Sequence, residues 1–428
     1  MMAVGWKGWS VLLYILILYT NSSSSANILA LFPFSSRSHS NLFSAITFAL
    51  AEKGHSFTVI TSQPLDSTPP NYRQVDFSDL AEKILHDFSS TKEIGLLEIL
   101  AKSRSMYEDV CRHTLFHPEV KKLLKPSNES EHFDMIITNS VFSECLYGFA
   151  YIYRAPLVLI SPPGPVSTTY NTLGLVALPS CITNVVSGFT DHMTFPQRIV
   201  NTVQTYGLFI YYYKFILNSV FSIMKDAYGE DIPPFSEIEK SMSLILVNHH
   251  FALNGARPLA PNLIEVGGLH IRPPKDLPKE LKGFMDGAGK DGIIYVSLGS
   301  ILKSMNFPIE VRDAFIGAFS QLKQRVLWKY EGDSPLPGQT ENVKLEKWLP
   351  QQDVLAHPNV KLFITHGGLL SMQEAASRGV PLIGIPFFGD QFTNLQRVTD
   401  LQIGLSLDSK NITKENILKA VHEMLDNP

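Results

Sequence analysis

Short apolar runs alternate along the chain with longer stretches whose apolar positions recur every three or four residues. Ile28–Phe32 is such a run, followed by the polar loop Ser35–Ser40. Leu42–Ala51 then carries helical spacing and stops at Gly54, and Ser56–Thr61 is rich in β-branched and aromatic residues. This is a strand–loop–helix–strand unit. It recurs with Met135–Thr138 as strand, Phe142–Tyr153 as helix and Leu157–Ser161 as strand. Helices between short apolar strands predict parallel pairing with right-handed crossovers.

Leu244–Asn248 reads as the last strand of this half. A glycine- and proline-rich passage follows, from Gly267 and Gly268 through Pro273 and Pro274 to Gly287 and Gly289, and the domain junction is placed there. Beyond it, strands are expected at Gly292–Ser297, Arg325–Tyr330, Val343–Leu345, Val360–Thr365 and Pro381–Ile385. Helices are expected at Glu310–Leu322, Leu370–Arg378, Asp390–Leu401 and Lys414–Leu425. The fold class is therefore α/β, two facing Rossmann-like domains at 27–270 and 271–428. Ligands of such sheets bind at the carboxyl ends of the strands, which puts the site in the cleft between the domains. No G-x-G-x-x-G follows a predicted strand, which argues against a dinucleotide-dependent oxidoreductase.

Composition narrows this further. With 428 residues, 45% hydrophobic and 18% charged, the chain can bury two ordinary cores. The net charge is −4 and no Lys or Arg run forms a basic stripe, so no nucleic-acid partner is expected. Three cysteines, Cys111, Cys145 and Cys181, form no disulfide framework by count and have no metal-ligand spacing. They read as buried small hydrophobes. Lys7, the apolar stretch Val11–Tyr19 and the Ser24-x-Ala26 pattern read as a cleavable signal peptide over residues 1–26. Entry into the secretory pathway makes Asn128 and Asn411 glycan acceptors. Tyr206–Phe221, aromatic and aliphatic but interrupted by Lys214, reads as a buried helix or one that touches a membrane surface.

The chemistry concentrates between Trp348 and Asn394. His366, Gly367 and Gly368 end a strand and open a helix, where free N–H groups and close-approaching glycines make an anion site. Ser371 adds a hydroxyl, and Glu374 lies three residues on along the same helix face, where a carboxylate suits two vicinal ribose hydroxyls. Trp348 offers a flat face for a base. Each has a plainer reading too. Ser371-x-x-Glu374 is also a capping box, and a lone tryptophan is commonly core.

The order of these residues, with Asp390 and Gln391 after the next strand, resembles the signature of the UDP-glycosyltransferase family, which includes animal UDP-glucuronosyl- and UDP-glucosyltransferases. The resemblance implies a GT-B type fold and a UDP-sugar donor, UDP-glucose or UDP-glucuronate, used as co-substrate with no cofactor. It implies that Trp348 stacks on uracil with Gln351 at its edge or at the ribose. His366, Gly368, Ser371 and Ser300 would hold the diphosphate, Glu374 the ribose, and Asp390 and Gln391 the sugar. Many relatives carry Asn where this chain has Leu370, which removes one contact near the phosphates. No Asp-x-Asp motif is present and the histidines are not grouped beyond His249 and His250, which read as structural, so no metal is expected.

Inverting transfer needs a base for the acceptor hydroxyl. By resemblance this is His39, in the loop after the first strand. The family pairs it with a carboxylate at a position where this chain has Asn139. An amide can orient the ring but cannot balance an imidazolium. Glu144 is either a nearby substitute or a solvated helix carboxylate. The acceptor pocket should come from the first half, including Tyr206–Phe221, and its apolar content favours a small lipophilic molecule bearing a hydroxyl. Animal relatives in the family it resembles continue with a helix crossing back to the first domain, a membrane helix and a short basic tail. Their lack here reads as a truncated isoform, an incomplete gene model or an unanchored luminal protein, with the endoplasmic reticulum lumen the expected place and attachment left open. Two functions follow: an active metal-independent hexosyltransferase, or a catalytically weak UDP-sugar-binding protein that kept its donor site and lost its base assembly.

Overall fold

The computed structural model describes residues 25–80, 84, 96–125, 132–175, 178–184 and 186–426. Residues 1–24 of the leader-like segment and Asn128 lie outside them. Thirteen strands among these residues form two sheets. The first holds β1 (Asn27–Phe32), β2 (Ser56–Thr61), β3 (Tyr72–Asp76), β4 (Met135–Asn139), β5 (Leu157–Ser161), β6 (Met242–Val247) and β7 (Leu263–Glu265) in the order 3-2-1-4-5-6-7. The second holds β8 (Ile293–Ser297), β9 (Arg325–Lys329), β10 (Val343–Glu346), β11 (Val360–Thr365), β12 (Leu382–Gly384) and β13 (Gly404–Ser406) in the order 10-9-8-11-12-13. Every pairing is parallel.

Strand order reverses once in each sheet, between β1 and β4 and between β8 and β11. These are the topological switch points at which open α/β sheets bind ligands. A hydrogen bond of 2.8 Å from Thr138 Oγ1 to the Leu31 carbonyl holds the first of them together. Burial on both faces explains the continuous apolar runs: Ile28–Phe32 and the whole of β8 are buried. Phe32, Phe43 and Ile160 pack on one side of the first sheet, while Leu29, Leu31 and Ile136 pack on the other. Leu370 from the second domain joins the Phe32 cluster across the cleft, so it serves as an apolar contact between the domains.

Several expectations are corrected. The first helix, α1, spans Arg37–Glu52 and so starts before Leu42. Ser36 caps it by accepting the His39 N–H at 3.3 Å, which puts His39 in a helical first turn instead of a free loop. Phe142–Tyr153 is not one helix. Phe142 adopts φ +60°, a 3-10 turn covers Glu144–Tyr147, and an α-helix covers only Gly148–Tyr153. β6 is not the last strand of its half. β3, β7 and β13 were missed because they are edge or near-edge strands, too short or too polar to show an apolar run.

Cys111 and Cys145 form a disulfide with Cα atoms 5.9 Å apart, while Cys181 is an exposed free thiol. Cys111 lies on α2 (Leu96–Leu115), so the bridge ties that helix to the turn after β4. The Tyr206–Phe221 region belongs to a continuous helical stretch, Phe195–Tyr228, made of α3 (Phe195–Tyr211), a π-helical turn (Tyr212–Ile216) and α4 (Leu217–Tyr228). Its second half buries Ile216, Val220 and Met224. On its first half Phe195, Ile199, Val203, Tyr206 and Ile210 stand exposed, spaced as one helical face.

Candidate active site

The second switch point is built around His366. Its ring lies between Gly299, after β8, and Gly368, after β11. A Cβ on either glycine would stand 2.6 Å from the imidazole, so side chains are excluded from both sides of the ring. Gly299 also needs its φ of +87° to turn the chain toward Ser300, which is half-buried. Gly368 is the N-cap of α6 (Leu369–Ser377), and the cap carries no side-chain hydrogen bond. Ser371 therefore lies inside the helix, in its first turn, and the capping-box reading is excluded. Burial, reinforced by the nearby Lys329, lowers the His366 pKa to about 4, so the imidazole is neutral near pH 7. Lys329 ends β9, is buried, and donates to the Gly299 carbonyl at 3.0 Å and to Glu331 at 2.6 Å.

Gln351, the first residue of α5 (Gln351–Leu355), joins Ser371 and Glu374. Its Nε2 donates to Ser371 Oγ at 2.9 Å and to Glu374 Oε2 at 2.6 Å, while Tyr295 donates to its Oε1 at 3.1 Å. Gln352 donates to the other Glu374 oxygen at 3.2 Å. Glu374 is thus a buried carboxylate held by two amides. Trp348 is 52% exposed, so the core reading of this residue fails. The Arg37 guanidinium lies over its ring at 4.3 Å, reaching across from α1 of the other domain.

Asp390 caps α7 (Gln391–Asp400) from outside and accepts from Asn394 Nδ2 at 2.8 Å. Burial raises its pKa. Gln391 is buried, and its Oε1 accepts from the Phe387 and Phe388 N–H groups at 2.8 and 3.1 Å, fixing the loop after β12. Facing this loop, His249 and Arg257 of the first domain line a recess with Asp390, Thr393 and Asn394. His249 is buried and paired with Glu265 at 2.6 Å. One ion pair and one hydrogen bond join the domains beside the recess: Arg397 to Asp191 at 3.0 Å and Thr190 to Asp400 at 2.6 Å.

His39 borders the first switch point. It is half-buried, and burial takes its pKa down to about 4, leaving a neutral ring able to accept a proton. Neither expected partner is hydrogen-bonded to that ring. Asn139 Oδ1 accepts from the Val141 N–H at 3.3 Å. Glu144 is neither solvated nor beside His39. It is 2% exposed and accepts from the Tyr212 hydroxyl at 2.7 Å.

Gln351, Ser371 and Glu374 therefore meet, as do His366, Gly368 and the Ser300 loop, whereas Asn139 ends β4 and His39 stands in the first turn of α1 with no hydrogen bond between them. The site residues missed in sequence are Arg37, Lys329 and Gln352. Lys329, a lysine that follows the apolar run Val326–Trp328 within its strand, was a readable signal. Arg37 and Gln352 gave none.

Residues 13–428 match the family model described as "UDP-glucoronosyl and UDP-glucosyl transferase". The chain is 36% identical to "UDP-glycosyltransferase UGT5" of Dactylopius coccus, over 94% of this chain and 77% of that relative. It is 32% identical to "UDP-glucuronosyltransferase 3A1" of Bos taurus, over 91% and 76%. Among solved structures it superposes on a UDP-glucosyltransferase from Polygonum tinctorium with TM-score 0.62, 18% identity and coverage of 94% and 90%. LpCGTa in complex with UDP gives TM-score 0.58 at 20% identity, covering 94% and 91%. At such identities the structural likeness speaks for the GT-B fold.

Proposed function

The chain belongs to the UDP-glycosyltransferase family, and from that premise we propose that it transfers glucose or glucuronate from the UDP-sugar, with inversion and without a metal, to a hydroxyl of a small lipophilic acceptor. One observation carries this reading: the two switch points face one cleft, with His39 at one and the Gly299–His366–Gly368 cradle at the other, and Arg37 on Trp348 joins them.

In this mechanism Trp348 receives the uracil, and Gln351 and Glu374 the ribose. His366, Ser371, Ser300 and the N–H groups opening α6 receive the diphosphate. Asp390 and Gln391 orient the sugar. The neutral His39 ring accepts the acceptor's proton as its oxygen bonds to the anomeric carbon. The bond from that carbon to the diphosphate oxygen breaks on the opposite side, and its electron pair leaves with UDP. A helix N-terminus and hydroxyl donors stabilise that charge without a cation.

The exposed stripe from Phe195 to Ile210 supports contact with a membrane surface. The Cys111–Cys145 bridge supports residence in an oxidising compartment, consistent with the endoplasmic reticulum lumen.

A second reading, a UDP-sugar-binding protein with weak catalysis, is favoured by the unbonded His39 ring. Sugar transfer to a panel of phenols by the purified chain, with UDP-glucose and UDP-glucuronate compared, tests both. Turnover lost in His39→Ala supports the transferase and identifies the donor. UDP binding with no turnover on any acceptor favours the second reading.

A further inference from the structure

The chain passes from the first domain to the second through a tight turn after β7. The Gly267 N–H donates to the His249 carbonyl of the first domain at 3.0 Å, and Gly268 turns with a φ of +85°. Two residues later His270 is already packed into the second domain, its side chain fully buried. The ring lies beside the carboxylate of Glu374, with Nε2 standing 3.4 Å from Oε1. This is an ion-pair approach not closed to a hydrogen bond, and Nδ1 has no partner either. A buried ring with two unpartnered nitrogens is costly, and leucine or phenylalanine would fill the space without that cost. Its presence against a site carboxylate asks for a function.

The segment around His270 is fastened where it lies. Gln352, next to Gln351 on α5, clamps three groups at once. Its Oε1 accepts from the Arg272 N–H at 3.0 Å, and its Nε2 donates to the His270 carbonyl at 3.1 Å and to Glu374 Oε1 at 3.2 Å. Arg272 grips Asp353 of α5 with both terminal nitrogens, at 2.7 and 2.6 Å. Arg378, just after α6, donates to the Arg272 carbonyl at 3.0 Å. The crossing segment is thus tied to α5 and to the end of α6, the helices that carry Gln351 and Glu374. On the carboxylate itself Gln351 occupies Oε2, while Gln352 and His270 share Oε1.

We infer that His270 is a positioning residue for donor binding and acts through Glu374, its Nε2 holding Oε1 so that the carboxylate faces the two vicinal hydroxyls of the ribose. The inference rests on the proposed reading of Glu374 as the ribose carboxylate. A carboxylate has about four acceptor positions, and donors fixed on the side of the crossing segment leave the others to the ligand. Closing the 3.4 Å contact as the hydroxyls settle gives the imidazole the hydrogen bond it lacks. His270 acts only through Glu374, so contacts to the base and the diphosphate are independent of it.

The test is calorimetry on the full chain with two probes, UDP and 2′,3′-dideoxy-UDP, which differ only in those hydroxyls. The wild type should bind UDP at least about tenfold more tightly, since hydrogen bonds to a charged group are the stronger kind. His270→Ala should reduce that preference to within about threefold and leave dideoxy-UDP affinity within about twofold. His270→Gln, whose amide nitrogen reaches the place of Nε2, should restore most of the preference. A purely structural role would weaken both probes alike and would not be rescued by glutamine. Should the alanine variant not fold, histidine-labelled wild type supplies the answer by NMR. The imidazole signal that is lost in His270→Gln should move with UDP and stay with dideoxy-UDP. A wild-type preference that survives His270→Ala, or an imidazole signal indifferent to the two probes, overturns the inference and leaves the donor reading standing. UDP bound with no preference over dideoxy-UDP removes the ribose role of Glu374, and the inference falls with it.

Discussion

Arg37 lies with its guanidinium 4.3 Å above the Trp348 ring, a contact between the first helix of one domain and the exposed aromatic of the other. A base stacking on that face would need the same space. Cation–π contact at an exposed ring is worth about 0.5–1 kcal/mol, so Arg37→Ala should tighten UDP binding by roughly two- to fivefold. Titration calorimetry with UDP decides the matter. A weaker affinity would mean that the guanidinium holds the nucleotide. Trp348→Ala, in contrast, should lose at least about tenfold.

The two neutral histidines should separate by role. On the proposed reading His366→Ala removes a donor to the diphosphate and should weaken UDP binding by roughly 10–100-fold. His39→Ala should leave UDP affinity intact and lower kcat by about 10²–10⁴. Equal losses of UDP affinity in both variants would end this division.

Gly368 has an ordinary φ of −62°, so alanine there introduces no backbone strain and only a methyl group against His366. Gly368→Ala should therefore displace the imidazole and lower UDP affinity at least about tenfold, with the melting temperature nearly unchanged. Unchanged affinity would show that the ring does not need its present position.

Glu144 also predicts a stability profile. Its folded pKa of about 7 lies above the ordinary 4.5, so the folded state holds the proton more tightly. Stability from this group is complete below about pH 4.5 and declines as pH rises through 7. The wild type should thus lose melting temperature relative to Glu144→Gln between pH 5 and 8. Parallel curves would show that the carboxyl titrates normally.

The legibility of the chain follows its burial. β1, β5, β8 and β11 are covered on both faces, so their apolar runs were visible without any structure. β7 and β13, of three residues each, owe their strand state to a neighbour and carry no pattern of their own. The proposed donor side was readable because Trp348, His366, Ser371 and Glu374 sit within one stretch of chain. What opposes them was not: Arg37 meets Trp348, and Tyr212 meets Glu144, only after long excursions of the backbone. The cysteines failed for the same reason, since count and spacing cannot show that a helix and a turn lie 5.9 Å apart. Leu370 looked like a lost phosphate contact, and its compensation, packing into the other domain's apolar cluster, exists only in three dimensions.

The bridge between Cys111 and Cys145 has a practical side for anyone producing this protein. Closing a loop of 34 residues is worth about 3–4 kcal/mol by chain entropy, a large share of a typical domain's stability. A bacterial cytoplasm would leave both sulfurs reduced, and α2 would lose its tether to the turn that carries Glu144. Material from such a host would still be expected to recognise UDP, yet read acceptors poorly. The exposed Cys181 thiol would meanwhile invite mispairing during later oxidation. Preparations from reducing and oxidising hosts are therefore different reagents, and an acceptor screen on the former would understate what the chain can glycosylate.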